Sequence, residues 1–152
     1  MRTLIIVRHG RQDSNGDLSV FGRLDVGVLA DRLTQNINGA STIRILTSPA
    51  EYALATAAIL GSALRADEVR AQAILRTKGD GKHNVDLLGA VDLIHQNTDV
   101  DVLILVTHSE YTTNLPSYFF MQEWHLAKRS HYIDKNEAWL INMDTKEMMH
   151  IW

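Results

Sequence analysis

The stretch that decides the fold is Leu4-Ile5-Ile6-Val7-Arg8-His9-Gly10. A short aliphatic run stopped by glycine reads as a strand buried on both faces. An arginine and a histidine at the C-terminal tip of such a strand are not core residues by default. In open parallel α/β sheets, the carboxyl ends of the strands form the ligand crevice. The pattern returns at Val102-Leu103-Ile104-Leu105-Val106, which runs into Thr107-His108-Ser109. Two buried strands that each deliver a histidine at the same end imply one site with two imidazoles. Arg8 beside the first suits that site to an anion.

Outward from these strands, helix and strand signals alternate. Residues 3–7 read as a strand and residues 11–17 as a polar loop. Ser19 is a plausible N-cap for a helix that runs to about Thr34, with Phe21, Leu24, Val28, Leu29 and Leu33 at helical spacing. Asn36-Ile37-Asn38-Gly39 breaks it. Thr42 to Leu46 is a second strand. Thr47-Ser48-Pro49 then opens an Ala-rich helix over 50–64, with Ser48 as its cap and Pro49 in its first turn. Residues 68–75 suggest a short strand and residues 76–84 a polar loop. Val85 to His95 carries a helical stripe. Glu137–Asn142 and Glu147–Trp152 form a hairpin around Asp144-Thr145-Lys146. The expected architecture is a three-layer α/β/α sandwich in one domain, residues 1–152, with a mainly parallel central sheet and an antiparallel C-terminal edge hairpin.

Composition narrows the chemistry. The chain has 152 residues, a net charge of −3 and no cysteine, which excludes disulfides, thiolate catalysis and cysteine-based zinc or iron–sulfur sites. The charge gives no reason to expect nucleic acid as a partner. No apolar run reaches membrane-spanning length, and the one at the N-terminus is too short for a signal peptide. A cytoplasmic protein with no membrane partner and no cofactor is the expectation.

A neutral imidazole has a free lone pair and attacks phosphorus well near neutral pH. Guanidinium groups stabilise the charge that develops on the phosphoryl oxygens, a second histidine can donate to the same oxygens, and a poor leaving group needs a general acid. His9, Arg8 and His108 make up the minimum set.

These residues resemble the histidine phosphatase (phosphoglycerate mutase-like) superfamily. Arg8-His9-Gly10 resembles its signature, and Leu18-Ser19-Val20-Phe21-Gly22 its following helix start. Thr47-Ser48-Pro49 with Ala53, Thr56 and Ala57 is similar to its Ser-Pro helix, and Val106-Thr107-His108-Ser109 to the segment with its second histidine. The short length and the terminal hairpin look most like the small SixA-type phosphohistidine phosphatases; the long insertions of the mutase branch have no room here. The resemblance implies His9 as nucleophile and phosphohistidine carrier, Arg8 and His108 as phosphate ligands, and Asn15 as an auxiliary; Ser109, next to His108, is a further candidate substrate contact. It implies a metal-independent phosphatase acting on a phosphorylated protein, such as a phosphohistidine domain, or on a small phosphorylated molecule.

One departure stands out. The arginine expected after Ser-Pro-x-x falls on Tyr52. Tyr52 can donate a hydrogen bond or simply pack, but it brings no charge. Arg11 is a candidate substitute, followed by Arg76, Lys78 and Lys82. No clear catalytic glutamate is present, and Asp80 is the available acid; between two glycines it also reads as a turn. Asn15, in Ser14-Asn15-Gly16, is equally a turn residue. The departure leaves a second reading open, a catalytically weakened member that binds phosphate or phosphoproteins. A third, a metallohydrolase built on His9, His108 and an aspartate, is disfavoured by Arg8 beside His9. Gly79-Asp80-Gly81-Lys82 lacks the spacing of a nucleotide-binding loop. His125, Lys128, Arg129 and His131 near Trp124 read as a solvated basic patch, with docking of an acidic partner as the alternative. Met143, Met148, Met149, Trp139 and Trp152 are expected to pack into the core.

Overall fold

The computed structural model describes residues 1–77 and 85–152. Along the chain run β1 (Thr3–Arg8), α1 (Val20–Asn36), β2 (Ile43–Thr47), α2 (Glu51–Leu64), β3 (Glu68–Ala71), α3 (Leu87–His95), β4 (Val102–Thr107), α4 (Ser109–Trp124), β5 (Ala138–Asn142) and β6 (Glu147–Ile151). They build one six-stranded sheet in the order β3-β2-β4-β1-β5-β6. Strands β1 to β4 are mutually parallel; β5 runs antiparallel to β1, and β6 antiparallel to β5.

The aliphatic runs are buried on both faces because successive side chains alternate between two cores. Ile5, Val7, Ile104 and Val106 pack with α1 and α2. Leu4, Ile6, Leu103 and Leu105 pack with α3 and α4. The three expected layers follow. Neighbouring strands β1 and β4 send their following helices, α1 and α4, to opposite faces, which opens a crevice beyond their carboxyl ends.

Several expectations shift. α1 starts after Ser19, whose hydroxyl accepts from Gly22 N at 2.9 Å, as anticipated. The buried face differs, however. Gly22, Val26, Leu29, Ala30 and Leu33 face inward, while Phe21, Leu24 and Val28 are exposed. The helix carries apolar residues on two faces, and Gly22 selects one of them. A Cβ there would stand 2.3 Å from the Arg11 carbonyl oxygen, so this turn must lie against the loop after β1.

α2 begins at Glu51 with Ala50 as its cap residue, and Ser48 makes no helix-capping side-chain bond of the usual kind. Its hydroxyl accepts from Ala50 N at 3.3 Å and lies 2.7 Å from His108 Nε2. The stretch 68–75 divides into β3 and a 3₁₀ turn over Ala73–Leu75. In α3, Leu88 lies outside the buried stripe. The hairpin forms as expected, with Trp139 buried and Met148 packed against the core, but Met149 and Trp152 are exposed. The basic patch His125, Lys128, Arg129 and His131 is exposed.

α4 has no counterpart in the sequence pattern. Thr112, Thr113 and Asn114 have low helix propensity, and Pro116 interrupts the helix interior. Burial of Tyr111, Leu115, Phe119 and Phe120 overrides both. Ser130 bridges the loosened turn: its hydroxyl accepts from Ser117 N and donates to the Thr113 carbonyl. Among the described residues, no helix is long and apolar enough to cross a membrane.

Candidate active site at the tips of β1 and β4

The parallel register pairs Arg8 with Thr107, so His9 and His108 leave the sheet side by side. His9 N donates to the Thr107 carbonyl at 3.0 Å, and Arg8 N to the Glu137 carbonyl at 3.0 Å. Gly10 N donates to Thr56 Oγ1 at 2.9 Å, and that hydroxyl donates to the Tyr52 carbonyl at 2.7 Å. The tip of β1 is thereby tied to β4, β5 and α2. Gly10 is required by close packing: a Cβ would meet Leu18 Cδ1 at 2.5 Å and Asn136 Oδ1 at 2.9 Å.

Three rings face one another. His9 lies 4.3 Å from Tyr52 and 5.3 Å from His108, centroid to centroid, and Tyr52 lies 5.8 Å from His108. Both histidines are buried. Burial is the main cause that pushes the His9 imidazole down from 6.5 to about 4; the nearby positive charges of Arg8 and Lys135 and the second imidazole act the same way. His108 is lowered too, first by burial, with Arg76 and Arg8 adding to it and Glu110 opposing it. His9 Nδ1 lies 2.8 Å from the Gly10 carbonyl oxygen. A carbonyl only accepts, so Nδ1 carries the proton and Nε2 keeps its lone pair. Ser48 Oγ, fully buried, lies 2.7 Å from His108 Nε2 and orients that ring.

Arg8 is 9 % exposed. Its Nη1 donates to the Ile133 carbonyl at 2.8 Å, its guanidinium carbon lies 4.7 Å over the Tyr132 ring, and its Nε has no hydrogen-bond partner among the described residues. The first turns of α2 and α4 start directly beyond β2 and β4, which adds their unpaired amides to the same end of the sheet.

Of the residues read from the sequence, Arg8, His9, Tyr52 and His108 converge. Ser109 opens α4 beside them, with its hydroxyl donating to Glu110 Oε2 at 3.2 Å. Arg76 is exposed, but its charge reaches His108. Arg11 turns away: its Nε lies 3.8 Å from Asp25 Oδ2 on α1. It shares an open cleft of about 240 Å³ with Asp25, Lys135 and Asn136. Asn15 is exposed in a turn where Asp13 Oδ1 accepts from the backbone of Asn15 and Asp17. Asp80, Lys78 and Lys82 lie outside the described residues. Among the described residues, no three histidine or acidic side chains are placed to hold a metal ion.

Ser48, Glu110, Tyr132, Lys135 and Asn136 were not read as site residues. Ser48 was legible as part of Ser48-Pro49, where capping explained it too readily. Tyr132 to Asn136 sit in an aperiodic segment that carries no local signal; only the closure of β5 onto β1 brings them to the tip, where Asn136 N donates to the His9 carbonyl at 3.4 Å.

No family model matches the sequence, and no curated protein sequence does. Solved structures match over nearly the whole chain. The protein histidine phosphatase SixA, complexed with tungstate, is 17% identical, with 99% of this chain and 94% of that chain covered and a TM-score of 0.69. Bacillus stearothermophilus YhfR is 20% identical over 97% of this chain and 94% of its own, with a TM-score of 0.68. A mycobacterial glucosyl-3-phosphoglycerate phosphatase, complexed with VO3, is 16% identical over 100% of this chain and 99% of its own, with a TM-score of 0.64. The chain shares the fold of these solved structures.

Proposed function

We propose that the protein is a metal-independent phosphatase that works through a phosphohistidine on His9. The observation that carries this reading is the His9 Nδ1–Gly10 carbonyl contact, which leaves Nε2 as a neutral nucleophile beside a buried, partly unpartnered guanidinium. The folds of the tungstate-bound SixA and the VO3-bound phosphatase support it, since tungstate and VO3 are both oxyanions. In the proposed reaction, Nε2 attacks phosphorus and the bond to the leaving group breaks with its electron pair. Arg8 and His108 stabilise the equatorial oxygens. The leaving group takes a proton from an acid, a role we assign to Asp80, or departs already protonated when it is an imidazole nitrogen. Water then attacks the phosphorus of phospho-His9, releasing phosphate and restoring the imidazole. Asn15, Ser109 and Tyr52 remain proposed substrate contacts; Arg11, the other sequence candidate, would have to leave Asp25 to serve. The substrate is a phosphohistidine protein or a small phosphorylated molecule.

Tyr52 at the position of an expected guanidinium favours a second reading, a phosphate- or phosphoprotein-binding module with little turnover. One experiment separates the two. The protein is incubated with radiolabelled phosphoramidate and quenched in alkali. Acid-labile label on His9, absent from His9→Ala, together with released phosphate, is expected of the phosphatase. Binding without label or release supports the module, and neither binding nor label overturns both.

A further inference from the structure

The segment from Ser130 to Asn136 crosses from α4 to β5 directly over the tip of β1, and the Tyr132 side chain has no part in the chemistry above. It is anchored at both ends. Ser130 is bonded into the loosened turn of α4, and Asn136 N meets the His9 carbonyl. Ile133, 1% exposed, fixes its middle in the core. Tyr132, beside it, is 59% exposed and gains little from burial. Its hydroxyl makes no hydrogen bond among the described residues. What its ring does touch is Arg8.

Arg8 is a buried cation with no carboxylate partner among the described residues. A buried charge needs compensation. Here it has one carbonyl, that of Ile133, and the negative face of one aromatic ring. Neither neutralises it, so the guanidinium keeps its attraction for an anion. Both restrict it to one orientation. We propose that Tyr132 is a positioning residue for Arg8. Its ring and the Ile133 carbonyl hold the guanidinium pre-oriented, in a site where Tyr52 stands in place of a second arginine. The consequence for catalysis rests on the phosphatase reading; the contact with Arg8 does not.

The test compares wild type with Tyr132→Leu and Tyr132→Phe, with orthovanadate as the probe. Leucine removes the ring face and phenylalanine keeps it. Tyr132→Leu should weaken vanadate binding about three- to fivefold, the range for a partly exposed cation–π contact. The Phe variant should restore wild-type affinity, and thermal melting should be unchanged in both. In an Arg8→Met background, the Leu substitution should be silent, which a general packing role would not produce. A second readout needs no ligand. The Arg8 Nε–H resonance in nitrogen-15 spectra should be slow to exchange in wild type and Tyr132→Phe and fast in Tyr132→Leu. Unchanged affinity and unchanged exchange in the Leu variant overturn the inference, as does an equal loss in Phe and Leu. A wild type that neither binds vanadate nor turns over sinks the phosphatase reading, while the Arg8 resonance still decides the role of Tyr132.

Discussion

The two sides of the cleft are built on different terms. On the β1 side, every group that must be accurate is fixed by backbone: His9 N on Thr107, Nδ1 on the Gly10 carbonyl, Gly10 N on Thr56, and Arg8 on Ile133. On the α2 side, Ser48 orients His108, but Tyr52 brings an aromatic ring to the place where a charge is expected. The difference teaches that imidazole geometry and anion-attracting charge are separable. The first is over-determined by many short contacts. The second depends on single side chains and can be lost without disturbing the first.

The strongest way to break this comparison is His9→Ala. Loss of the proposed nucleophile should lower the proposed phosphatase activity by about 10³-fold or more, with the fold retained, because a neutral side chain is removed from a strand tip whose contacts are mostly main-chain. Turnover within a few-fold of wild type would dismiss His9 as nucleophile. The same variant tests the burial of the imidazole through pH. With His9 at about 4 in the folded protein and near 6.5 unfolded, the unfolded chain binds more protons between those values. Stability therefore rises with pH across that window and is lost as pH falls from about 6.5 through 4. The gap corresponds to about 3 kcal/mol, and His108 acts in the same direction. His9→Ala should show a visibly shallower loss of melting temperature on acidification than wild type.

How far the sequence revealed this site follows from the same contrast. His9, Arg8 and His108 were legible because each ends an aliphatic run, and parallel pairing of two such runs leaves their tips adjacent. The layered fold was legible for the same reason. α4 was not, since Thr112, Thr113 and Pro116 oppose a helix that only tertiary burial of Leu115, Phe119 and Phe120 supports. The inward face of α1 was not either: the choice between its two apolar faces depends on Gly22 meeting the backbone of Arg11, a contact distant from any periodicity rule. Tyr132 and Lys135 reach the site through a loop whose course is set by β5 pairing with β1, so no local pattern could announce them.

A smaller effect sharpens the α2 side. The Tyr52 ring stands 4.3 Å from His9 and 5.8 Å from His108, so position 52 points into the cleft and is not a distant packing site. Tyr52→Arg should restore a bidentate phosphate donor and raise kcat/KM for an aryl phosphate about tenfold or more, up to the roughly 10²–10³-fold of one transition-state donor. A second prospect follows from the positive charges already near His9. If Arg8 and Lys135 supply all the charge the phosphoryl group needs, the added guanidinium gains nothing, and an unchanged rate would show that this side of the cleft was never deficient.

The smallest expected effect belongs to Arg11. The sequence nominates it as the relocated clamp, since it lies two residues beyond His9. In the structure it is exposed and turned toward Asp25 on α1, across the cleft it shares with Lys135. An exposed ion pair of this kind contributes about 0–1 kcal/mol, so releasing Arg11 toward a phosphate would cost little. Geometry, not energy, keeps it out: Gly22 packs on the Arg11 carbonyl and Ser19 N donates to it at 2.8 Å, which fixes its backbone against the start of α1. Arg11→Ala should therefore change kcat/KM for an aryl phosphate by less than about twofold, and Asp25→Ala should behave alike. A severe loss in Arg11→Ala with a silent Asp25→Ala would mean that the side chain leaves its partner and swings into the cleft when substrate binds. The α2 side would then have regained its charge from the β1 loop, and Tyr52→Arg should crowd that site rather than improve it.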